Sequence, residues 1–322
     1  MGIHALPLTL LLAAQPLPQT QAQSQPEPLP MGEVAYQMAL LEGGIPELQL
    51  ACADAARFNL KPRLQALRDR LMLVAPAPQP FPVVMANARA LLTCKAPASA
   101  QVVLNRFGPG PGQQRRQWLL LDWRAASASL DHRRAALALR RLANGDLASL
   151  DQEQLVVGVS EDGQPLTRSA LDLLADHEAA SGQLDRAAAV LLAGRTPGVV
   201  AARRYGLVAE WLQTLGQPSS DALLEAALDQ AAADQAWSTA VDLLRLQLRL
   251  NLQAGGDGSR ARQRLERLSR RLDDRYTLLQ RSDVDPDALD QQLRSPRQPG
   301  GHAALGESRP AGSPVIAPSP SP

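Results

Sequence analysis

The sequence predicts an all-α fold built from antiparallel helical hairpins, and three observations carry that expectation. The first is punctuation. Between Leu166 and Arg281, helix-length stretches alternate with tight turns: 167–180 stops at Ser181-Gly182, 184–193 at Gly194, and the stretch opened by Thr196-Pro197 at Leu215-Gly216. Stretches 218–234, 237–252 and 259–281 follow, with Gly255-Gly256 between the last two. Gly accepts the positive φ of a helix C-cap, and Pro suits a helix's first turn. The second is composition. Of 322 residues 45% are apolar but only 3% aromatic, with Ala and Leu dominant. That mixture suits helices in close contact; a β-sandwich wants β-branched and aromatic residues. The third is a small residue that returns early in the second helix of each hairpin, at Ala100, Ala135, Ala187, Ala222 and Ala261.

Those alanines are 35, 52, 35 and 39 residues apart, and one helical turn beyond each stands Leu104, Leu139, Leu191, Ala226 or Leu265. A period near 34 is that of helical hairpins that stack because none buries its apolar face alone. The run Leu171, Leu174, Ala175, Gly182, Ala187, Leu191 thus resembles a tetratricopeptide unit. The resemblance covers residues 81–281 in degenerate form; the large aromatic near the start of a unit is present only at Trp237, and most units lack the terminal Pro. It implies a right-handed superhelical stack of hairpins, a TPR-like α-solenoid. It also implies that the first helices of the hairpins line a groove for a protein or peptide partner. On that resemblance Arg115, Arg116, Asp172, Asp176, Arg203 and Arg204 are the candidate groove contacts.

Taken in order, residues 1–30 form a signal-peptide-like segment and a Gln/Pro linker. Residues 5–14 are a ten-residue apolar run, too short to span a bilayer, with small residues near 20–24 for cleavage. Export to the periplasm is expected, a cytoplasmic start being the alternative because the segment has no Lys or Arg. Residues 31–80 read as N-terminal helices capping the array: 32–41, 47–57 and 62–74, the last with Leu64, Leu67, Leu71 and Val74 on one face. The Pro-rich stretch 75–82 reads as a joint before the repeats. Helices 82–93 and 97–107 make the first repeat; 113–127 and 131–143, the latter capped by Asp131, make the second. Residues 144–165 interrupt the period. The run 155–159 looks strand-like but has no evident partner strand, so an irregular surface loop is expected. The alternating segment 244–252 fits a half-buried strand by pattern, but it has no β-branched residue and is read as helix, with Leu244, Leu248 and Leu252 on one side. Past Arg281, Asp285-Pro286 starts a short helix to about Arg294, and 295–322 is a Pro/Gly/Ser-rich tail expected to be disordered.

The search for chemistry returns little. A net charge of +1 gives no global field for nucleic acid. Cys52 and Cys94 read as buried small apolar groups, with pairing as the alternative in an exported chain. His132 stands in a charged turn without a partner in view. His177 is flanked by Asp172, Asp176 and Glu178, but a metal site would need a further ligand from another helix, and a solvated polar face is the expectation. Asp283, Asp285 and Asp287 begin like a calcium loop, yet Ala288 and Arg294 occupy the positions that need Gly and Glu. The alternating glycines of 108–112 lack the Lys-Ser/Thr of a phosphate loop. No nucleophile–base spacing emerges, and no cofactor or metal is expected. The reading is a non-enzymatic interaction scaffold. Its alternatives are binding of anionic membrane or nucleic acid through the Arg-rich helix 259–281, preferred here as a polar cap, and a hydrolase or metalloprotein whose site assembles only in the fold.

Overall fold

The computed structural model describes residues 29–74 and 78–274. The signal-peptide-like segment through residue 28, the helix expected at 285–294 and the tail lie outside the described residues. Within them the chain forms thirteen α-helices and one two-stranded sheet, and its contacts divide it into two compact units that meet in sequence at Phe107/Gly108.

The first unit holds α1 (Glu33–Glu42), α2 (Ile45–Arg57), α3 (Lys61–Leu73), α4 (Phe81–Thr93) and α5 (Pro97–Leu104). Pro46, Pro62, Pro82 and Pro97 sit in the first turns of the last four, where a missing N–H costs nothing. Leu48, Leu67, Leu71, Val84, Ala88, Leu91 and Leu104 are fully buried between them. The Pro-rich stretch does not part a cap from the repeats. Helix α2 packs on α4, Asn87 of α4 donates to the Leu71 carbonyl at 3.0 Å, and Cys52 is bonded to Cys94. The two cysteines are therefore a cross-link rather than two separate buried thiols.

The second unit begins with α6 (Gln113–Ala128) and α7 (His132–Ala143). A 3-10 turn (Leu147–Asp151) and strands β1 (Gln154–Val159) and β2 (Pro165–Ser169) follow, then α8 (Ala170–Ala180), α9 (Leu184–Leu192), α10 (Val199–Thr214), α11 (Ser220–Ala233), α12 (Trp237–Gln253) and α13 (Ser259–Arg271). Each successive pair from α6·α7 to α12·α13 packs together, and α7·α8, α9·α10 and α11·α12 join the pairs. The sharp turns need one left-handed residue each, supplied by Gly182, Gly216 and Gly255 but also by Leu130 and Gln235.

Several expectations change here. The insertion carries an antiparallel hairpin, not an irregular loop: Leu155 pairs with Arg168 and Val156 with Thr167. The second strand was hidden inside the expected start of α8, because Ser169 both ends β2 and caps the helix, accepting from Leu171 N–H at 3.1 Å. Helix α10 starts at Val199, after Gly198 at φ 74°, rather than at Pro197. Ala100, Ala135, Ala187 and Ala261 are buried, but Ala222 is exposed; the inner face of α11 is Leu224, Ala227, Leu228 and Ala231. Segment 244–252 is helical within α12, yet Leu252 is half exposed and Gln247 is buried in its place, donating to Asp221 and Glu225 at 2.9 and 2.7 Å. The Arg-rich helix ends at Arg271, ten residues short of expectation, followed by Asp273 at φ 53°; residues 275–281 lie outside the described residues. Its Leu265 is buried, and Arg264 grips Glu225 of α11 through both carboxylate oxygens at 2.7 and 2.8 Å. No described helix is long and apolar enough to cross a membrane.

Candidate functional site

The insertion is fixed to the helices by one buried ion network. Asp151, at the end of the 3-10 turn, accepts from the backbone N–H groups of Arg195 and Thr196 at 2.7 and 2.8 Å and from the Thr196 hydroxyl at 2.8 Å. Arg204 of α10 reaches it at 2.7 Å and Asp172 of α8 at 2.7 Å. Burial alone would raise the Asp151 pKa, but the Arg204 guanidinium and the three donors outweigh it and hold the carboxyl at about 2. The guanidinium lies against Gly194 so closely that a Cβ there would stand 2.3 Å from Nη1. That explains the glycine.

So anchored, the hairpin forms one wall of a cleft of about 560 Å³. Leu155 roots it in the core, and Val156, Val157, Gly158 and Val159 line the opening. The other walls are Trp123, Arg124 and Ser127 of α6, His132 at the start of α7, and Leu173, Asp176 and His177 of α8. Arg168 of β2 spans to Asp176 at 2.7 Å.

At the floor of the cleft three aromatic rings are hydrogen-bonded in series. Trp123 Nε1–H donates to His177 Nε2 at 3.2 Å, and His177 Nδ1 meets His132 Nδ1 at 3.1 Å. The indole can only donate, so Nε2 of His177 is an acceptor and its proton sits on Nδ1. That proton is given to His132 Nδ1, which leaves the His132 proton on Nε2. Both imidazoles are neutral in this arrangement. Burial pushes the His177 pKa below its ordinary value, His132 and Arg168 push the same way, and Asp176 opposes them.

Sequence reasoning placed His177 on a solvated polar face and left His132 without a partner. The structure buries the first and pairs it with the second, because α7 packs on α8. No group of three or more His, Cys, Asp or Glu able to hold a metal occurs among the described residues. Of the six expected groove residues, Asp172, Asp176, Arg203 and Arg204 line an adjoining cleft of about 290 Å³ that shares Arg168 and Asp176 with the first. Arg204 is only 5% exposed and committed to Asp151 and Asp172, so its role is to hold the fold. Arg115 and Arg116 stand apart, lining a separate cleft with Arg141 and Asn144, and Arg116 pairs with Glu153. Trp123, Arg124, His132 and the valines of β1 were missed. Only the pairing of helices and strands brings them together.

No protein-family model, curated protein or solved structure matches this chain.

Proposed function

We propose that this chain is a non-catalytic, TPR-like scaffold of an oxidising compartment that holds a protein partner in the cleft between α6, α8 and β1. The observation that carries the reading is the cleft itself. It combines an apolar wall from β1 and Trp123 with a few polar groups and a rigid anchor, the composition of a recognition surface. Its two histidines are engaged with each other and with a tryptophan. The successive packing of α6 to α13 and the small buried residues Ala135, Ala187 and Ala261 support the stacked-hairpin reading. The Cys52–Cys94 bond supports an exported, periplasm-like location, since disulfides persist where glutathione does not reduce them. The α13 helix acts as the cap, its Arg264 spent on Glu225 within the protein.

The test is site-specific photo-cross-linking. A photoreactive residue in place of Arg124, Val156 or Val159, in the cells that make the protein, yields the same discrete protein adduct from all three positions. Replacement of exposed Asp229 gives none. Absence of adducts at every cleft position contradicts the scaffold reading.

A further inference from the structure

The insertion presents an unpaired strand edge to the cleft, and that edge defines the kind of partner it accepts. In an antiparallel ladder alternate residues turn their N–H and C=O groups toward the neighbouring strand, and those between turn them away. Glu153 C=O accepts from Ala170 N–H at 2.8 Å, and Ser160 N–H donates to Gln164 C=O at 2.9 Å, so both ends of the β1 run face β2. Counting inward by twos puts Leu155 and Gly158 toward β2 as well, opposite Arg168 and Leu166. Gln154, Val156 and Val159 are left facing outward, while Val157 is the extra residue of the bulge opposite Leu166, its N–H turned toward β2 as the pairing of Val156 with Thr167 requires. No further strand covers them among the described residues.

The side of β1 that meets the cleft is this edge. Side chains alternate between the two faces of a strand, so a cavity against one face touches every second residue. Here four consecutive residues, Val156 to Val159, line it. The opposite edge of the hairpin is blunted at Pro165, which has no N–H, and is cut short where β2 runs into α8 at Ser169. The charges of the cleft are asymmetric. Arg168 and Asp176 neutralise each other, while exposed Arg124 has no ion-pair partner among the described residues. Val159 is 65% exposed and Val156 47%, offering apolar contact beside that cation.

We propose that the cleft takes an extended acidic segment of a protein partner, which adds as a third strand to the outer edge of β1. Main-chain hydrogen bonds supply the affinity, alternate apolar side chains pack on the valines and Trp123, and a carboxylate pairs with Arg124. The inference rests on the scaffold reading and names the partner's chemistry. Outward-facing residues from 154 to 159 give room for about four paired residues at roughly 3.3 Å each.

The probe is the capped heptapeptide Val-Glu-Val-Glu-Val-Glu-Val, titrated into the full chain with Trp fluorescence as readout. The expected result is saturable binding that falls at least tenfold for the Lys-for-Glu peptide, for a peptide N-methylated at alternate residues, and for Arg124→Gln. N-methylation removes strand donors while leaving the protein untouched. Val156→Pro, at an outward position where no ladder bond to β2 is lost, also abolishes binding while the circular-dichroism spectrum is retained. Equal binding of the N-methylated peptide overturns strand addition, and equal binding of the Lys peptide overturns the acidic assignment. Concentration-dependent dimers that exclude the peptide and vanish in Val156→Pro make the occupant a second copy, which also overturns the proposal. If the cross-linked adduct of the cleft persists undiminished in Val156→Pro, strand addition fails and the scaffold reading stands; if no adduct forms at all, both fail.

Discussion

Arg204 and Asp151 form an ion pair of 2.7 Å in which the side chains are 6% and 2% exposed. It joins α10 to the end of the 3-10 turn, and through Asp172 and the backbone of Arg195 and Thr196 it also ties in α8 and the α9–α10 connection. The irregular part of the second unit is held at this point.

Breaking the pair from one side leaves a buried charge short of its compensation: Asp151 keeps only its uncharged donors, and Arg204 keeps only Asp172. Arg204→Met or Asp151→Ala therefore destabilises the protein by about 3–5 kcal/mol, measured by urea unfolding, whereas Arg116→Ala at the more exposed Glu153 pair costs about 1 kcal/mol or less. The carboxyl's native pKa of about 2 lies below its unfolded value. Its contribution is complete above the unfolded value near 3.8 and fades as pH falls from there toward 2. Asp151→Asn removes that acid-sensitive part of the stability curve. An unchanged curve contradicts the network.

A second pH dependence belongs to His177, whose native pKa is depressed by burial and by its facing groups His132, Arg168 and, in opposition, Asp176. Above the unfolded histidine value near 6.5 the residue is neutral in both states and the network is intact. As pH falls through that value the unfolded chain takes up the proton first, and stability declines. Protonation of His177 Nε2 also sets two donors against each other at Trp123. Unfolding at pH 7.5 and 5.5 is expected to show this decline, together with a change in Trp123 emission. His177→Gln should flatten the stability profile over that interval. Retention of the full slope in that variant assigns the titration elsewhere.

The Cys52–Cys94 bond closes a loop of 42 residues. Chain entropy alone makes such a cross-link worth about 4 kcal/mol. Reduction, or the Cys52→Ala/Cys94→Ala double variant, lowers the stability of the first unit by about 2–4 kcal/mol. The two units are followed separately by hydrogen exchange, and α6 to α13 keep their protection. Equal loss in both units contradicts their division at Phe107/Gly108.

Much of this architecture was legible in the sequence because it is local. Helices announced by Pro46, Pro62 and Pro97 and turns announced by Gly182, Gly216 and Gly255 need only neighbouring residues to form. The cleft was not legible because it is made of long-range pairings. His132 and His177 are 45 positions apart and Trp123 is 54 from His177, so no spacing rule joins them. The hairpin escaped for a different reason: Pro165–Ser169 is short and runs straight into α8, so one residue, Ser169, serves two elements. Gln247 shows the limit of apolar periodicity. Its place among leucines is taken by a polar side chain whose amide nitrogen donates to Asp221 and Glu225, partners on another helix.

The α13 helix separates capping from binding. Leu265→Ala deletes a buried side chain and costs on the order of 2–5 kcal/mol. Arg267→Gln and Arg270→Gln lie on the solvent side and change stability by about 0.5 kcal/mol or less each. Neither arginine change alters retention on acidic liposomes if the helix is a cap. Salt-sensitive liposome binding by the unmodified protein, lost in those variants, contradicts the cap.

Hydrogen exchange at the β1 amides tests the central claim most directly. In the free protein the outward N–H groups of Val156 and Val159 are expected to exchange quickly, while those of Leu155, Val157 and Gly158, turned toward β2, are protected. On saturation with the alternating Val/Glu heptapeptide the outward amides become protected at least tenfold, and the Trp123 indole signal shifts with them. If the peptide saturates the protein while these amides continue to exchange at their free rate, the edge of β1 is not where the partner is held.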